Sequence, residues 1–407
     1  MSQTNKFKIF NDPIYGFIGT PNELIFNLIA HPYVQRLRRI SQMGLSYLVY
    51  PGAHHTRFHH TLGCMHLMQK AIAILRLKKV AITEEEERGL LCAILLHDIG
   101  HGPFSHALEK VLVPSLGHEQ LSLLFMKELN EIFEGALDMA ILIFKGLHPK
   151  KFLNQLVSSQ LDMDRLDYLK RDSFYTGVTE GNISSDRLIA MLTVVDNNLV
   201  VEEKGLYSVE KFLLSRRFMY WQVYLHKTSL VAELLLTKVI ARARTLLRNG
   251  VKVNATEPLS FFLKQEYTDF DTKALQTFST LDDVDILGAL KSWQQHEDMV
   301  LSDLSKRLIN RNLLKIEITE APWTEAELSE KKDIIMKQLQ LRASDVEHYV
   351  FQGKVAHQAY HSNTQNINIL SKTGQLVDVA KASDHLNLSA LSKKVVKYYV
   401  CFPKVGV

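Results

Sequence analysis

The chain has 407 residues, with 48 Lys and Arg against 44 Asp and Glu and a formal net charge of +4. This charge is too small to argue by itself for a nucleic-acid partner. No run of 18 apolar residues occurs, so no transmembrane helix is predicted. The polar N-terminus lacks a signal core, and three scattered cysteines exclude a disulfide framework. We therefore expect a cytoplasmic protein with a large core and no membrane partner.

The first predicted elements are helices. Apolar spacing predicts a helix pair over 21–46 and long helices over 59–77 and 82–97. Thr83 is the expected N-cap of the last of these, which stops at the Gly and Pro residues of 100–103. Shorter helices are predicted around residues 118–130, 136–145, 150–158 and 160–172.

The second half begins with a predicted hairpin over 192–203 that turns at Asn197-Asn198, followed by helices over 208–248. After about residue 310 a helix at 324–341 is surrounded by short β-like runs at 314–318, 348–351, 367–370 and 376–379. A hairpin loop is predicted at 372–374. The predicted fold is mainly α, with a helical domain over 1–310 and a small α+β C-terminal domain over 311–407.

Histidine gives the first signal of function. Nine of the 17 histidines fall between residues 54 and 118, where even spacing would put fewer than three. Surface histidines have no physical reason to cluster in this way, whereas metal binding and proton transfer supply one.

The dipeptide His97-Asp98 is the centre of this pattern. Alone it fits an ordinary helix end followed by a capping carboxylate, but apolar residues bracket it on both sides. Such a setting carries charge into the interior, which is costly unless the charge is paired or metal-bound. The segments 57–63 and 161–172 could complete a set of imidazole and carboxylate ligands suited to Fe, Mn, Co, Ni or Zn. In the second segment Asp164, Tyr168 and Asp172 share one helical face, which could equally be a solvated stripe.

The order H…HD…D and its surroundings resemble the deoxynucleoside triphosphate triphosphohydrolases of the HD superfamily, which include bacterial dGTPases and the vertebrate enzyme with a SAM domain. The resemblance extends over roughly residues 7–230. The segments that carry it are FNDPIYGFI, QRLRRISQMG, YPGAHHTRFHHTLG, LLHDIGHGPFSHALE, HE, LDMDRLDYLKRD and RRFMYWQVYLHK. It implies that the 1–310 domain is an HD-type helical phosphohydrolase domain.

The resemblance also implies roles for individual residues. A divalent transition metal, alone or together with Mg, would be held by His60, His97, Asp98 and Asp164. Catalytic roles are implied for His101 and His118 beside the reacting phosphate, for His106 as the acid for the leaving 5′-oxygen, and for Glu109, which stands where close relatives carry an Asp that orients a histidine. Substrate contacts are implied for Gln42, Arg57, Arg165, Tyr168, Asp172, Arg216, Tyr220, Tyr224 and Lys227.

Two of the residues implied to contact the substrate differ from those of the family, and the spacing of four of them is informative without the resemblance. Arg165 replaces a lysine of the relatives, and Tyr220 stands where they have a histidine. Independently of the resemblance, Arg216, Tyr220, Tyr224 and Lys227 are spaced to share one helical face that could grip a polyphosphate. The alternative is an ordinary basic amphipathic surface.

The expected activity is hydrolysis of a dNTP to deoxynucleoside and tripolyphosphate by an enzyme that forms a dimer or higher homo-oligomer. One alternative keeps the metal site but acts on another nucleotide, as a nucleotidase, a cyclic-nucleotide phosphodiesterase or a guanosine tetraphosphate hydrolase. Another is a non-catalytic regulator that binds nucleotides or nucleic acid. Ala30 stands where allosterically activated relatives carry an Asp that reads guanine, which argues against a guanine-specific effector site.

Overall fold

The computed structural model describes residues 7–265, 267, 270–360, 366–383 and 393–404. The described residues are mainly helical, with small sheets, as the sequence predicts. The helices are α1 (Glu23–Ala30), α2 (Pro32–Arg36), α3 (Arg57–Leu77), α4 (Glu84–Leu96), α5 (His106–Leu112), α6 (His118–Ile132), α7 (Asp138–Phe144), α8 (Lys151–Val157), α9 (Met163–Thr176), α10 (Ser185–Ala190), α11 (Leu206–Met219), α12 (Lys227–Arg248), α13 (Glu257–Lys264), α14 (Thr272–Phe278), α15 (Asp283–Trp293), α16 (Met299–Ile309), α17 (Glu325–Leu339) and α18 (Val379–Ala382).

The strands form three small sheets within these ranges. They are β1 (Ile9–Asp12), β2 (Gly16–Gly19), β3 (Leu192–Val195), β4 (Asn198–Glu202), β5 (Lys315–Thr319), β6 (Phe351–His357), β7 (Asn368–Leu370), β8 (Leu376–Asp378) and β9 (Val395–Phe402). β1 and β2 make a hairpin, β5-β9-β6 an antiparallel sheet, and β3-β4-β7-β8 a mixed sheet. In the mixed sheet β7 runs parallel to β4, so residues after 366 pair with a strand of the helical region. The predicted domain boundary near residue 310 stays a prediction.

The predicted helix pair over 21–46 is wrong in its second part. The helical path ends with a 3₁₀ turn at Leu37–Arg39, and Ile40 is extended with φ −119° and ψ 117°. The reason is that the extended chain makes specific hydrogen bonds: Ile40 O accepts from Arg57 N at 2.9 Å, and Ser41 N donates to Asp283 Oδ2 at 2.8 Å.

Two predicted β features are shifted by a few residues. The hairpin of β3 and β4 turns at Asp196-Asn197, one residue earlier than predicted, because both residues adopt the positive φ of a type I′ turn (48° and 60°). The strand predicted at 348–351 begins only at Phe351, since Val346–His348 form a 3₁₀ turn. The β1–β2 hairpin was missed because its strands are only four residues long.

Helix α3 lies at the centre of the helical region and packs against α4 and α9. Its contact with α9 depends on Gly63, where a Cβ atom would overlap Asp167 Oδ1 and Arg171 Nη2. The close approach brings the predicted site residues of the two helices within reach of each other. No helix of the described residues combines the length and apolar character needed to cross a membrane.

We predict that Gly63→Ala destabilises the protein by about 1–3 kcal/mol, because its methyl group must displace a buried ion pair. Gly288→Ala is the matched control: this glycine also lies within a helix, but a Cβ there meets nothing within 4 Å. The control should stabilise the protein by about 0.5–1 kcal/mol. Urea unfolding followed by circular dichroism measures both, and equal tolerance of the two alanines would contradict the close α3–α9 contact.

Candidate active site

Three helices bring the four predicted metal ligands together. His60 lies on α3, His97 and Asp98 follow the last residue of α4, and Asp164 lies in the first turn of α9. His60 Nε2 is 3.1 Å from Asp164 Oδ1 and 3.6 Å from Asp98 Oδ2. His97 Nε2 is 3.5 Å from Asp98 Oδ1 and 3.7 Å from Asp164 Oδ1. Two imidazole nitrogens and two carboxylates therefore converge on one point.

Hydrogen bonds on the far side of each imidazole fix which nitrogen faces this point. His97 Nδ1 lies 2.7 Å from the carbonyl oxygen of Ile94, which only accepts, so Nδ1 carries the proton. His60 Nδ1 lies 2.7 Å from Asp167 Oδ2 in the same arrangement. The Nε2 atom of each ring therefore faces the carboxylates, as in histidines that ligate metals.

The chemistry of this donor set fits a metal ion. His97 Nε2 is buried without a hydrogen-bond partner among the described residues, although two carboxylates lie just beyond hydrogen-bond distance. Burial alone would lower the pKa of His60 and His97, but the acidic groups beside them raise it, so the cluster favours a positive charge among its members. A cation between them would satisfy all of these groups.

A buried ion-pair network holds His60 in place, and the sequence analysis missed it. Arg171 donates to both oxygens of Asp167 at 2.9 Å and to Asp12 Oδ2 at 2.8 Å. Burial would raise the pKa of Asp167, but Arg171 and His60 lower it to about 2, so this carboxylate stays ionised. The i, i+4 spacing of Asp167 and Arg171 was the available signal, and it resembles that of any exposed helical ion pair.

Cys64 also lies near the point where the two imidazoles and two carboxylates converge, one helical turn after His60. Its Sγ is 3.4 Å from His60 Nδ1, and its position permits it to join His60, His97 and Asp164 around an ion. Burial raises the pKa of the Cys64 thiol, however, so it stays protonated. Because the thiolate is the form that ligates metals, the carboxylates are the better ligands here.

Arg57 lies beside the same point of convergence and contacts Asp98. Its Nη1 donates to Asp98 Oδ2 and its Nε donates to Ser105 Oγ at 2.8 Å. Burial alone would raise the pKa of Asp98, but His97, Arg57 and His101 hold it well below the usual carboxyl range. The carboxylate is therefore ionised, as a metal ligand requires.

The three remaining predicted catalytic histidines form a second cluster. His101 and His118 stack with ring centroids 4.0 Å apart, and the His106 ring meets both edge-on at 5.0 and 5.3 Å. Glu109 lies 3.2 Å from Nδ1 of His106 and of His118, so its longer side chain reaches both rings. Burial and the nearby Arg57 guanidinium hold the pKa of His101 well below its ordinary value, which keeps this imidazole neutral.

The turn between α4 and α5 is strained where it meets this cluster. Phe104 and Ser105 have φ values of 51° and 50°, which residues other than glycine rarely adopt. Phe104 N donates to Asp283 Oδ1 at 2.7 Å, and Ser105 Oγ donates to the carbonyl of Ser41 at 3.1 Å. These bonds hold the strained turn against Arg57.

A cavity of about 470 Å³ connects these groups, a size within the range of small-molecule sites. It joins most of the residues that the sequence predicted to act on a substrate. Its lining includes Gln42, Arg57, Asp98, His101, His106, His118, Asp164, Arg165, Tyr168, Asp172, Tyr220 and Tyr224.

One wall of the cavity is a hydrogen-bonded group around Asp172. Tyr224 Oη donates to Asp172 Oδ2 at 2.7 Å, and His55 Nε2 lies 2.6 Å from Asp172 Oδ1. Gln42 Oε1 is buried there without a partner among the described residues. The sequence did not predict His55 as a site residue, although it lies in the histidine-rich segment 54–118. Nothing in its spacing distinguished it from the neighbouring histidines.

The predicted continuous helical face from Arg216 to Lys227 is wrong. Residues Tyr220–Tyr224 form a π-helical turn, with Leu225 N donating to Tyr220 O at 2.8 Å, and Lys227 begins a new helix. Tyr220 and Tyr224 line the cavity, and the wider turn changes the rotation between them and Lys227, which is not among the lining residues. Arg216 precedes the turn and is buried, with its Nε and Nη1 lacking a hydrogen-bond partner among the described residues. On its other side the Tyr220 ring stacks on His357 of β6 at 3.6 Å.

A second cavity, of about 400 Å³, lies between α8 and the β4–β7 pair. Its polar lining is mostly amides and hydroxyls, such as Asn154, Gln155 and Ser159, and its charged side chain is Lys151. It lacks the clustered acids, bases and metal-type ligands of the larger cavity, which is therefore the better candidate for chemistry.

Comparisons with known proteins agree with this geometry. Residues 57–172 match the HD domain family model, and residues 183–256 match the HD associated region. The chain is 50% identical to a phosphohydrolase of Bacteroides thetaiotaomicron, whose crystal structure superposes with a TM-score of 0.95 over 98% of this chain and 100% of that one. It is 37% identical to the YwfO protein of Bacillus subtilis over 76% of this chain and 71% of that protein.

More distant relatives include the human deoxynucleoside triphosphate triphosphohydrolase SAMHD1. The identity is 30% over 281 residues, which are 58% of this chain and 44% of the human protein. A homologue from Dictyostelium discoideum is 31% identical over 61% of this chain and 51% of its own length. The chain therefore spans about half the length of these relatives.

We predict that Asp167→Asn lowers the affinity for a transition metal about 10–100-fold, because the amide no longer fixes the His60 tautomer. Asp12→Asn is the matched control, since Asp12 shares the Arg171 partner but does not contact His60. Metal content after dialysis against graded metal buffers measures the effect. If both variants lost metal equally, the loss would reflect the weakened ion-pair network and not the hydrogen bond to His60.

Proposed function

This chain belongs to the HD superfamily of phosphohydrolases, and we propose that it hydrolyses deoxynucleoside triphosphates to deoxynucleoside and tripolyphosphate. The observation that carries the proposal is that one cavity is lined by Asp98 and Asp164 of the four converging side chains, by the cluster of His101, His106 and His118, by two arginines and by the Asp172–Tyr224 pair. A nucleotide needs such groups for its phosphates and for its sugar. The relatives named as deoxynucleoside triphosphate triphosphohydrolases support the choice of substrate.

A divalent transition metal, alone or with Mg, would be held by His60, His97, Asp98 and Asp164. When bound, it would supply Lewis-acid polarisation of a phosphoryl oxygen and neutralise part of the charge of the triphosphate. Arg57 and Arg165 face the same cavity and add two permanent positive charges.

The histidine cluster is placed to move protons. Water attacks the α-phosphorus, the bond between phosphorus and the 5′-oxygen breaks, and that oxygen takes up a proton as the deoxynucleoside leaves. In this proposal His101 or His118 takes the proton of the water, helped by Glu109, which orients His118. His106 has the most exposed ring of the three and donates the proton to the 5′-oxygen.

The Asp172–Tyr224 pair would set the preference for a deoxyribose. The hydrogen bond between them holds the tyrosine ring against the cavity wall, and His55 holds Asp172 from behind. A ring fixed in this way beside the sugar disfavours a 2′-hydroxyl by contact. Gln42 Oε1 offers a buried acceptor to a sugar hydroxyl.

We further propose that the protein works as a cytoplasmic homo-oligomer. The resemblance to oligomeric triphosphohydrolases supports the assembly. All three cysteines are free and buried, as suits a reducing compartment.

The test of the function is a substrate screen on purified protein of measured metal content. The four dNTPs, the NTPs, cyclic nucleotides and guanosine tetraphosphate are each incubated with the protein, and the products are separated by ion-exchange chromatography. The proposal expects deoxynucleoside and tripolyphosphate in equal amounts from dNTPs. Pyrophosphate or orthophosphate as the first product would overturn it, and turnover of another nucleotide alone would reassign the substrate.

We predict that His97→Ala loses both bound metal and dNTP turnover, because one of the four ligands is gone. His54→Ala is the control: this histidine is exposed, stacks on Tyr47 and does not line the cavity. Metal analysis and the rate of tripolyphosphate release are measured on the same preparations. Full metal content and turnover in His97→Ala would contradict the ligand assignment.

A further inference from the structure

Glu233 is an acid in the cavity that the proposed reaction does not use. It lies on α12, its side chain lines the cavity, and its Oε1 would lie 3.2 Å from a Cβ placed on Gly44. The other acids of the inner wall all have partners: Asp98 contacts Arg57, Asp164 contacts His60, and Asp172 contacts Tyr224. Among the described residues, no hydrogen bond or ion pair satisfies the carboxyl of Glu233.

An acid in this position is costly unless a ligand completes it. Burial raises the pKa of Glu233 to about 7, and no charged side chain contributes to the shift. A desolvated acid without a protein partner, directed into a substrate cavity, is a mark of ligand recognition.

Chain neighbours among the residues that line the cavity indicate which part of a nucleotide reaches Glu233. Gln42 and Tyr224 line the sugar wall, and the residues that follow each of them, Met43 and Leu225, line the cavity next to it. Gly44, which follows Met43 in the chain, lies next to the carboxyl of Glu233. A nucleotide with its phosphates at the metal ligands would thus place its base between apolar side chains, with the edge of the base toward this carboxyl.

We propose that Glu233 reads the nucleobase by accepting hydrogen bonds from it and that it favours guanine. The N1–H and the 2-amino group of guanine are adjacent donors that match the two oxygens of a carboxylate. Adenine and cytosine instead place a ring acceptor beside their amino group, and thymine offers a single N–H between two carbonyls. This specificity rests on the proposed function, since that function orients the nucleotide in the cavity.

The test compares wild type, Glu233→Gln and Glu131→Gln in an equimolar mixture of the four dNTPs at about pH 8.5, where Glu233 is ionised. The amount of each deoxynucleoside released is quantified. The wild type is expected to favour dGTP. The Gln variant is expected to lose this preference about tenfold and to shift toward dATP, because an amide offers one acceptor and one donor to adenine. The control acid is exposed on α6 and should leave the ranking unchanged.

Binding of the α,β-imido analogues of dGTP and dATP, measured by calorimetry, gives a second readout that needs no turnover. If the wild type releases tripolyphosphate but Glu233→Gln keeps the same base ranking in both assays, base reading by Glu233 is overturned and the proposed function stands. If no dNTP is hydrolysed but the analogues show the guanine preference and its loss in the variant, base reading stands and the proposed reaction fails. Failure of the wild type to bind either analogue overturns both.

The substitution of Glu by Gln preserves the size of the side chain, so folding should be preserved. Should the Gln variant fail to fold, Glu233→Asp provides the same test. It keeps the charge but withdraws the carboxylate by one methylene, which is expected to weaken the preference for dGTP severalfold. An unchanged ranking in that variant would overturn the proposal.

Discussion

The interaction on which the candidate site depends is the buried ion-pair network around Arg171. Its guanidinium joins Asp167 on the same helix to Asp12 at the end of β1, and Asp167 passes the constraint to His60. Buried charges are tolerated only when they are fully paired, and removal of one partner typically costs about 3–5 kcal/mol. The network therefore ties the N-terminal hairpin, α3 and α9 into one rigid support for the four converging side chains.

Around this support the molecule combines rigid and strained parts. Gly63 lets α3 approach α9, and the turn at Phe104-Ser105 holds two residues at positive φ against Arg57. Strained backbone persists only where the surroundings determine it fully, and here Asp283 and Arg57 do so through direct hydrogen bonds. The result is a site whose acids, bases and cations are preorganised before a substrate enters.

How much the sequence predicts depends on the range of the interaction. Helix α4, with its Thr83 cap, and the convergence of His97 and Asp98 with distant ligands follow from local periodicity and an ordered motif. The π turn after Met219 could not be predicted, because the periodicity that suggests a continuous helix does not register one inserted residue. Glu233 carries no local signal either: its meaning comes from Gly44, nearly 190 positions earlier in the chain, and from the missing partner.

The stacking of His357 on Tyr220 has a consequence for the order in which the site forms during synthesis. All four proposed metal ligands have been translated once residue 164 is made, whereas the strand that supports the tyrosine wall comes almost 200 residues later. Because chains emerge from the ribosome with the N-terminus first, a nascent chain carries the proposed metal ligands long before it carries the strand that backs Tyr220. The two parts of the candidate site are thus synthesised at different times.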